Sequence, residues 1–136
     1  DAIADHVDDH KLWCGLTTYA HPVSCAAAVG AIEVLEREDL PGNAARMGAA
    51  LAARVEAIAR LPAVAAALVD HRGLGLMRMV ELDRPAAPLA RLALDRGLYL
   101  PTKGNAFFLC PPLCLTPADV DAIAERLADA LLALLG

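Results

Sequence analysis

The chain has 136 residues, 57% of them hydrophobic and only 4% aromatic, with a formal net charge of -5 and its arginines scattered. That length suffices for one domain with one core, which must be built of Leu, Ala, Val and Ile, and alanine favours helices. A nucleic-acid surface would need a clustered positive patch, a membrane span needs an apolar run of ~20 residues, and a signal peptide does not open on acidic DAIADHVDD; none of the three is expected from this sequence.

Asp1 to Asp9 can form a short acidic helix, with Ile3 and Val7 on one face. Leu12 to Leu16 is a brief apolar run, predicted extended. Next comes Leu16 to Ala28, LTTYAHPVSCAAA, around which the chain is organised. Proline pre-sets its own helical φ and pushes its predecessor toward extended geometry. A helix should therefore begin just past Pro22, with Thr17 and Thr18 on the loop leading into it. Hydroxyls beside free backbone N–H groups at a helix start suit an anion, a phosphate above all. The local alternative is a pair of loop hydroxyls satisfying nearby backbone.

Ala26 to Glu38 is predicted helical, with Val29, Ile32 and Leu35 spaced by threes, and Leu40-Pro41-Gly42 interrupts it. Asn43 to Leu61 is a second helix with Met47, Leu51, Val55 and Ile58 in one stripe. Glu56 and Arg60 can pair across one turn, and Pro62 ends the helix. Val69 to Arg72 and Leu74 to Leu82 are predicted strands around Gly73 and Gly75. Leu76, Val80 and Leu82 share one face and Met77 and Met79 the other, the pattern of a strand covered on both sides. Leu89 to Arg96 is a short helix, with Gly97 as a left-handed cap. Leu98 to Leu100 and Ala106 to Cys110 are short strands around a Pro101 to Asn105 turn. Thr116-Pro117-Ala118-Asp119 is a helix start with a hydroxyl cap, Pro first and acid third. Val120, Ile123, Leu127, Leu131 and Leu134 carry the stripe to the terminus. The sum is an α+β domain, four main helices packed on a small, mostly antiparallel sheet of about three strands.

Several side chains have two readings. Cys14, Cys25, Cys110 and Cys114 all sit in apolar surroundings and are expected as buried, reduced thiols. His6, His10 and Cys14 recur every four residues, a zinc-ligand spacing on one continuous helix, but an extended run near Trp13 takes Cys14 off that face. No metal site is expected. Cys110-Pro-Pro-Leu-Cys114 lacks the Cys-x-x-Cys redox spacing. Arg72 to Leu76, RGLGL, is a glycine-dependent bend and not a phosphate loop, because no Lys-Ser/Thr follows. His21 is either an acid/base group or a structural turn residue.

LTTYAHPVSCAAAVGAIEVLERE resembles the Thr-to-Ala-Ala-Ala segment of class III aminotransferases, pyridoxal-phosphate enzymes of the fold-type-I superfamily. The resemblance continues through RGLGLMRMVEL and GLYLPTKGNAFFLCPPLCLTPADVDAIAERL and covers nearly all of the chain. It implies that residues 1-25 are the tail end of the large cofactor-binding domain and 26-136 the C-terminal small domain. It implies a cytoplasmic homodimer in which the Thr matching Thr17 holds the cofactor phosphate of the neighbouring subunit. The family order Thr-(Tyr/Phe)-Ser-Gly-His-Pro is shuffled here to Thr17-Thr18-Tyr19-Ala20-His21-Pro22, so Thr17 and Thr18 both stand as candidates. The resemblance favours the structural role for His21. Some relatives hold the substrate carboxylate with an Arg at the position of Phe108, others with one in a Tyr-x-x-x-Arg-x-Asn context, where this chain has Lys103. Lys supplies a point charge for a carboxylate or sulfonate, not a bidentate fork; the alternative is an exposed turn lysine.

Transamination on this cofactor needs a lysine that carries it and shuttles the proton. The two lysines, Lys11 and Lys103, are in neither case in the family's lysine context. DAIADHVDD resembles the short helix that follows that lysine. The chain is thus expected to be the C-terminal part of a longer enzyme that moves an amino group between an amine or amino acid and a 2-oxo acid, inactive alone. The alternative is a non-catalytic remnant or a stand-alone dimerisation or anion-binding module.

Overall fold

The computed structural model describes Asp5, His6, His10 and residues 19-136. Thr17, Thr18, Lys11 and Cys14 lie outside the described residues, as do most of residues 1-16, where the acidic helix and the extended run are expected. The chain divides into two compact units, Asp1–Val34 and Leu35–Gly136.

Helix α1 spans Pro22–Arg37, and none of its residues is buried. Its start at Pro22 follows from the ring's fixed φ, since the missing N–H would have had no helical partner there. Ala20 turns the chain into it with φ 55, in the left-handed region.

The expected interruption at Leu40-Pro41-Gly42 is a helix start instead. Helix α2 runs Leu40–Ala59 with Pro41 in its first turn, and the bend belongs to Asp39 at φ 46. Pro breaks a helix from its interior but opens one without cost. Asn43 ties this start to the later loop by donating from Nδ2 to the carbonyls of Leu113 (2.8 Å) and Leu115 (2.9 Å). Leu51, Val55 and Ile58 are buried, as the stripe predicts. Pro62 ends one helix and opens another, the single turn α3 (Pro62–Ala65), which seats Val64 in the core.

Strands β1 (Leu68–Leu74), β2 (Met77–Leu82), β3 (Thr102–Lys103) and β4 (Ala106–Leu109) form a four-stranded sheet in the order β1-β2-β4-β3. Every pairing is antiparallel. Val80, Leu82, Phe107 and Leu109 point inward and are at most 3% exposed. The other face is not covered as the sequence suggested: Met77 is 70% exposed, and Leu74, on the same face, 89%. Alternation sets which residues share a face, but whether a second layer covers it depends on what else packs there. Leu76 is buried although it lies in the β1–β2 turn, where Gly75 takes φ 53. Leu98 to Leu100 alternates as expected, with Leu98 and Leu100 buried and Tyr99 exposed, yet joins no ladder. Phe108 N–H reaches back to the Pro101 carbonyl (2.9 Å), and pairing proper begins at Thr102.

Helix α4 spans Ala87–Leu94 and is followed by Gly97 at φ 76, the expected left-handed position. Helix α5, Pro117–Leu135, packs against α2, α3 and α4. Val120, Leu127 and Leu131 are buried in the centre of the core.

The start of α5 is a capping box. Asp119 N–H donates to Thr116 Oγ1 (3.3 Å), while Thr116 N–H and Oγ1–H donate to Asp119 Oδ2 (2.8 and 2.6 Å). Thr116→Ala is expected to cost about 1 kcal/mol, read as a lower urea midpoint with unchanged slope. The hydroxyl and backbone donors of Thr116 hold the Asp119 carboxyl below its ordinary 3.8. A depressed carboxyl stabilises the fold fully above its unfolded value, and the contribution is lost as pH falls through the folded value. Wild type should therefore lose part of its advantage over Asp119→Asn below about pH 4; an advantage constant from pH 7 to pH 2 would contradict the cap.

Candidate functional site

The candidate site residues lie on two structural pieces. The first is the entrance to α1. Cys25 N–H donates to the His21 carbonyl (3.0 Å), which closes the first turn. The N–H groups ahead of it have no intrahelical partner, as at every helix start. No acidic residue occupies this turn, and Arg37 lies in the last, so the helix dipole is unopposed by a carboxylate at its positive end. His21 and Ser24 are both exposed. The two hydroxyls expected to use this entrance, Thr17 and Thr18, lie outside the described residues. Ala20, where the resembled family carries Gly, shows why Gly suits the position: its φ of 55 is one that a Cβ disfavours.

The second piece is the open face of the sheet. In the register, Lys103 pairs with Ala106 and Ala106 with Glu81; Phe108 pairs with Met79 and Met79 with Arg72. Directly opposed residues share a face. Lys103 and Phe108, the two positions where relatives were expected to carry a carboxylate-binding Arg, thus stand on one surface, on adjacent strands. Lys103 is exposed and makes no ion pair with a described residue. Its turn is pinned: Leu82 N–H donates to the Asn105 carbonyl and Ala86 N–H to the Gly104 carbonyl, both at 3.0 Å. The flexible stem therefore rises from a fixed base. Glu81 stands two strands away, roughly 10 Å, too far to neutralise the ammonium. The face itself is largely apolar, with a cavity of about 500 Å³ lined by Leu74, Met77, Met79 and Phe108 and also by Arg78. Arg72 at its edge is already tied to Asp70, the partner the sequence left open.

The thiols do not follow expectation. Cys25, Cys110 and Cys114 are all free and exposed. Apolar neighbours in sequence did not bury them: Cys25 is on α1, which buries nothing, and the other two flank the Pro111-Pro112 exit on the surface. His6 and His10 stack with ring centroids 4.2 Å apart, and His10 N–H donates to the His6 carbonyl (3.0 Å). Among the described residues no group of three or more His, Cys, Asp or Glu could hold a metal.

A polar contact that periodicity did not single out is that of His71. Its Nε2 lies 3.0 Å from Glu56, which also takes Arg60 Nη2 at 2.8 Å. Arg60, and secondarily His71, lower the Glu56 carboxyl below its usual range. The helical Glu56–Arg60 spacing was readable; the cross-element half needed the fold.

An antiparallel sheet with one face on helices and the other open defines an α+β module. Comparison with known proteins makes that class specific. The family model for class-III aminotransferases matches residues 3–131. The chain is 40% identical over 114 residues to acetylornithine aminotransferase 1 of Bordetella pertussis, covering 83% of this chain and 28% of that protein. It is 33% identical over 135 residues to an omega-aminotransferase of Caulobacter vibrioides, covering 93% and 30%. Among solved structures, an (S)-enantioselective omega-transaminase from Thermomicrobium roseum superimposes with a TM-score of 0.84 at 27% identity, over 100% of this chain and 33% of that one. The chain belongs to the class-III aminotransferase family, and it spans under a third of the length of these relatives.

Proposed function

We propose that this chain serves a pyridoxal-phosphate-dependent aminotransferase as its C-terminal part, of fold type I, in a homodimeric enzyme of the cytoplasm. The reaction would move an amino group between an amino acid or amine and a 2-oxo acid. The observation that carries this is the family match across residues 3–131, which includes the Thr17-Thr18 approach to α1. Residues 1-25 would complete the large domain and 26-136 form the small domain.

The described residues fit one part of the cofactor. The acid-free start of α1 suits its phosphate, with Thr17 or Thr18 adding a hydroxyl donor toward the phosphate held by the partner subunit. When bound, the cofactor supplies an electron sink at the carbon that bears the amino group. Lys103 would hold the carboxylate end of a substrate, its fixed turn limiting where that end can rest. The apolar face around Phe108 and Met79 would exclude water from the bound chain. The lysine that carries the cofactor would come from polypeptide matching the part of the relatives that this chain does not cover.

The test uses a full-length protein containing this chain, titrated with pyridoxal phosphate and followed by visible absorbance. Losing one hydroxyl donor to a phosphate should weaken cofactor binding about tenfold or more, so Thr17→Val or Thr18→Val, whichever residue makes the contact, should show it. A protein that gains no absorbance band sinks the enzymatic reading. A coloured protein indifferent to both substitutions leaves the enzyme standing but removes this phosphate contact. The second reading, a non-catalytic module, is favoured by the self-contained core of Leu35–Gly136. It predicts no band with any length of chain.

A further inference from the structure

We infer that the cleft between α2 and the β1–β2 hairpin is a carboxylate-binding site whose cation is Arg78. Arg78 points to the inner face of the sheet, in line with Val80 and Leu82, and is the one buried charged residue among those described, at 9% exposure. Its Nε is shut off from solvent and has no hydrogen-bond partner. Arg78 forms no ion pair with any described carboxylate. A guanidinium stays charged at any accessible pH. It cannot escape the cost of burial by losing its proton, as a lysine would. A buried donor left in that state calls for a partner.

The surroundings say what shape that partner has. Arg78 lines a cavity of about 430 Å³ whose helix wall is Ala45, Gly48, Ala49 and Ala52 and whose hairpin wall includes Gly73 and Gly75. The facing stretch of the helix carries nothing longer than a methyl group, and the larger side chains on the lining, Pro41 and Leu74, are apolar. Gly48 and Gly75 set one end, because the two backbones approach closely there. The volume is that of a small-molecule site. A single cation and otherwise apolar walls select a compact anionic head on a short apolar stem. A carboxylate fits, since its two oxygens can accept from the guanidinium edge. Gly73, Leu74 and Arg78 line both this cleft and the open-face cavity, so the two meet at the hairpin, while Lys103 lines neither.

Such a carboxylate can belong to a free acid or to an Asp or Glu side chain of another polypeptide. The experiment uses the 136-residue chain labelled with ¹⁵N, titrated with acetate, with glutarate and with the blocked peptide acetyl-Ala-Glu-Ala-amide, against sodium chloride at matched ionic strength. The Arg78 Nε–H signal and the Gly48 and Gly75 amides should shift saturably with carboxylate and not with chloride. Tighter binding of glutarate assigns the site to a free acid; tighter binding of the peptide assigns it to a polypeptide side chain. Arg78→Gln should remove the Gly48 and Gly75 response. Ala49→Phe, a change at an exposed helix position that fills the cleft and keeps the charge, should weaken binding about tenfold, as expected when steric closure removes a charge-assisted contact. No saturable shift in the native chain overturns the inference, and so does an unaltered response in a folded Ala49→Phe protein.

Discussion

Phe107→Ala should destabilise the Leu35–Gly136 unit more than any other single truncation, by about 3–5 kcal/mol. Phe107 is wholly buried and is the largest such side chain in the described chain. On β4 it sits between Val80 of β2 and Thr102 of β3 in the register and faces the helices. Its register partners, Val80 and Thr102, carry no ring that could fill the void. Leu and Ala neighbours relax incompletely around a cavity of that size, and the cavity term adds to the lost transfer energy. Against a total stability of about 5–15 kcal/mol for a domain, the loss leaves a marginal fold. Urea denaturation gives the check, as a large fall in midpoint at constant slope. Phe108→Ala is the internal control: one residue along the same strand, it lies on the open face, half-buried, and should cost far less. Equal losses at the two positions would mean that the covered and open faces are misassigned.

Gly48→Val should be the most damaging enlargement, at about 3 kcal/mol, the upper end for overpacking. A Cβ built on Gly48 would lie 2.4 Å from the carbonyl carbon of Gly75, 2.5 Å from its Cα and 2.6 Å from its oxygen. All three are backbone atoms and cannot rotate aside. Gly75 is itself held at φ 53, so the hairpin cannot yield without giving up its turn. Valine's helix propensity over glycine returns only a few tenths of a kcal/mol, so the clash decides the sign. Gly30→Ala, in α1, should go the other way. Its Cβ meets nothing within 4 Å, so the propensity gain of about 1 kcal/mol acts alone. Thermal denaturation followed by circular dichroism separates the two. A Gly48→Val protein as stable as wild type would refute the close approach.

Helices with one apolar stripe were legible because burial and period coincide: Leu51, Val55 and Ile58 on α2, and Val120, Leu127 and Leu131 on α5, are buried as their spacing demands. The cap at Thr116 was legible for the same reason, since its bonds span only three residues. Pro41 opens a helix where an interruption is expected, and Pro62, which ends one helix as expected, also opens another, since a single proline does not tell on which side of it a helix lies. Cysteine burial failed because the residues around a thiol in sequence are not the ones around it in space. At the candidate site, Lys103 could be singled out only through a family resemblance; its pinned turn and its shared face with Phe108 appear only once β2, β3 and β4 are paired.

By itself, then, the amino-acid order determined the long helices, the inward faces of helices and strands, and the family resemblance, because all of these rest on local spacing and on motifs a few residues long. The tertiary structure alone decided that one sheet face is open, that Gly48 meets Gly75, that Glu56 holds His71, and that Arg78 is buried without a partner. Each of these joins residues 15 or more positions apart or depends on what is missing from a surface. The energy of such contacts depends on atoms brought together by folding, and no window along the chain contains them.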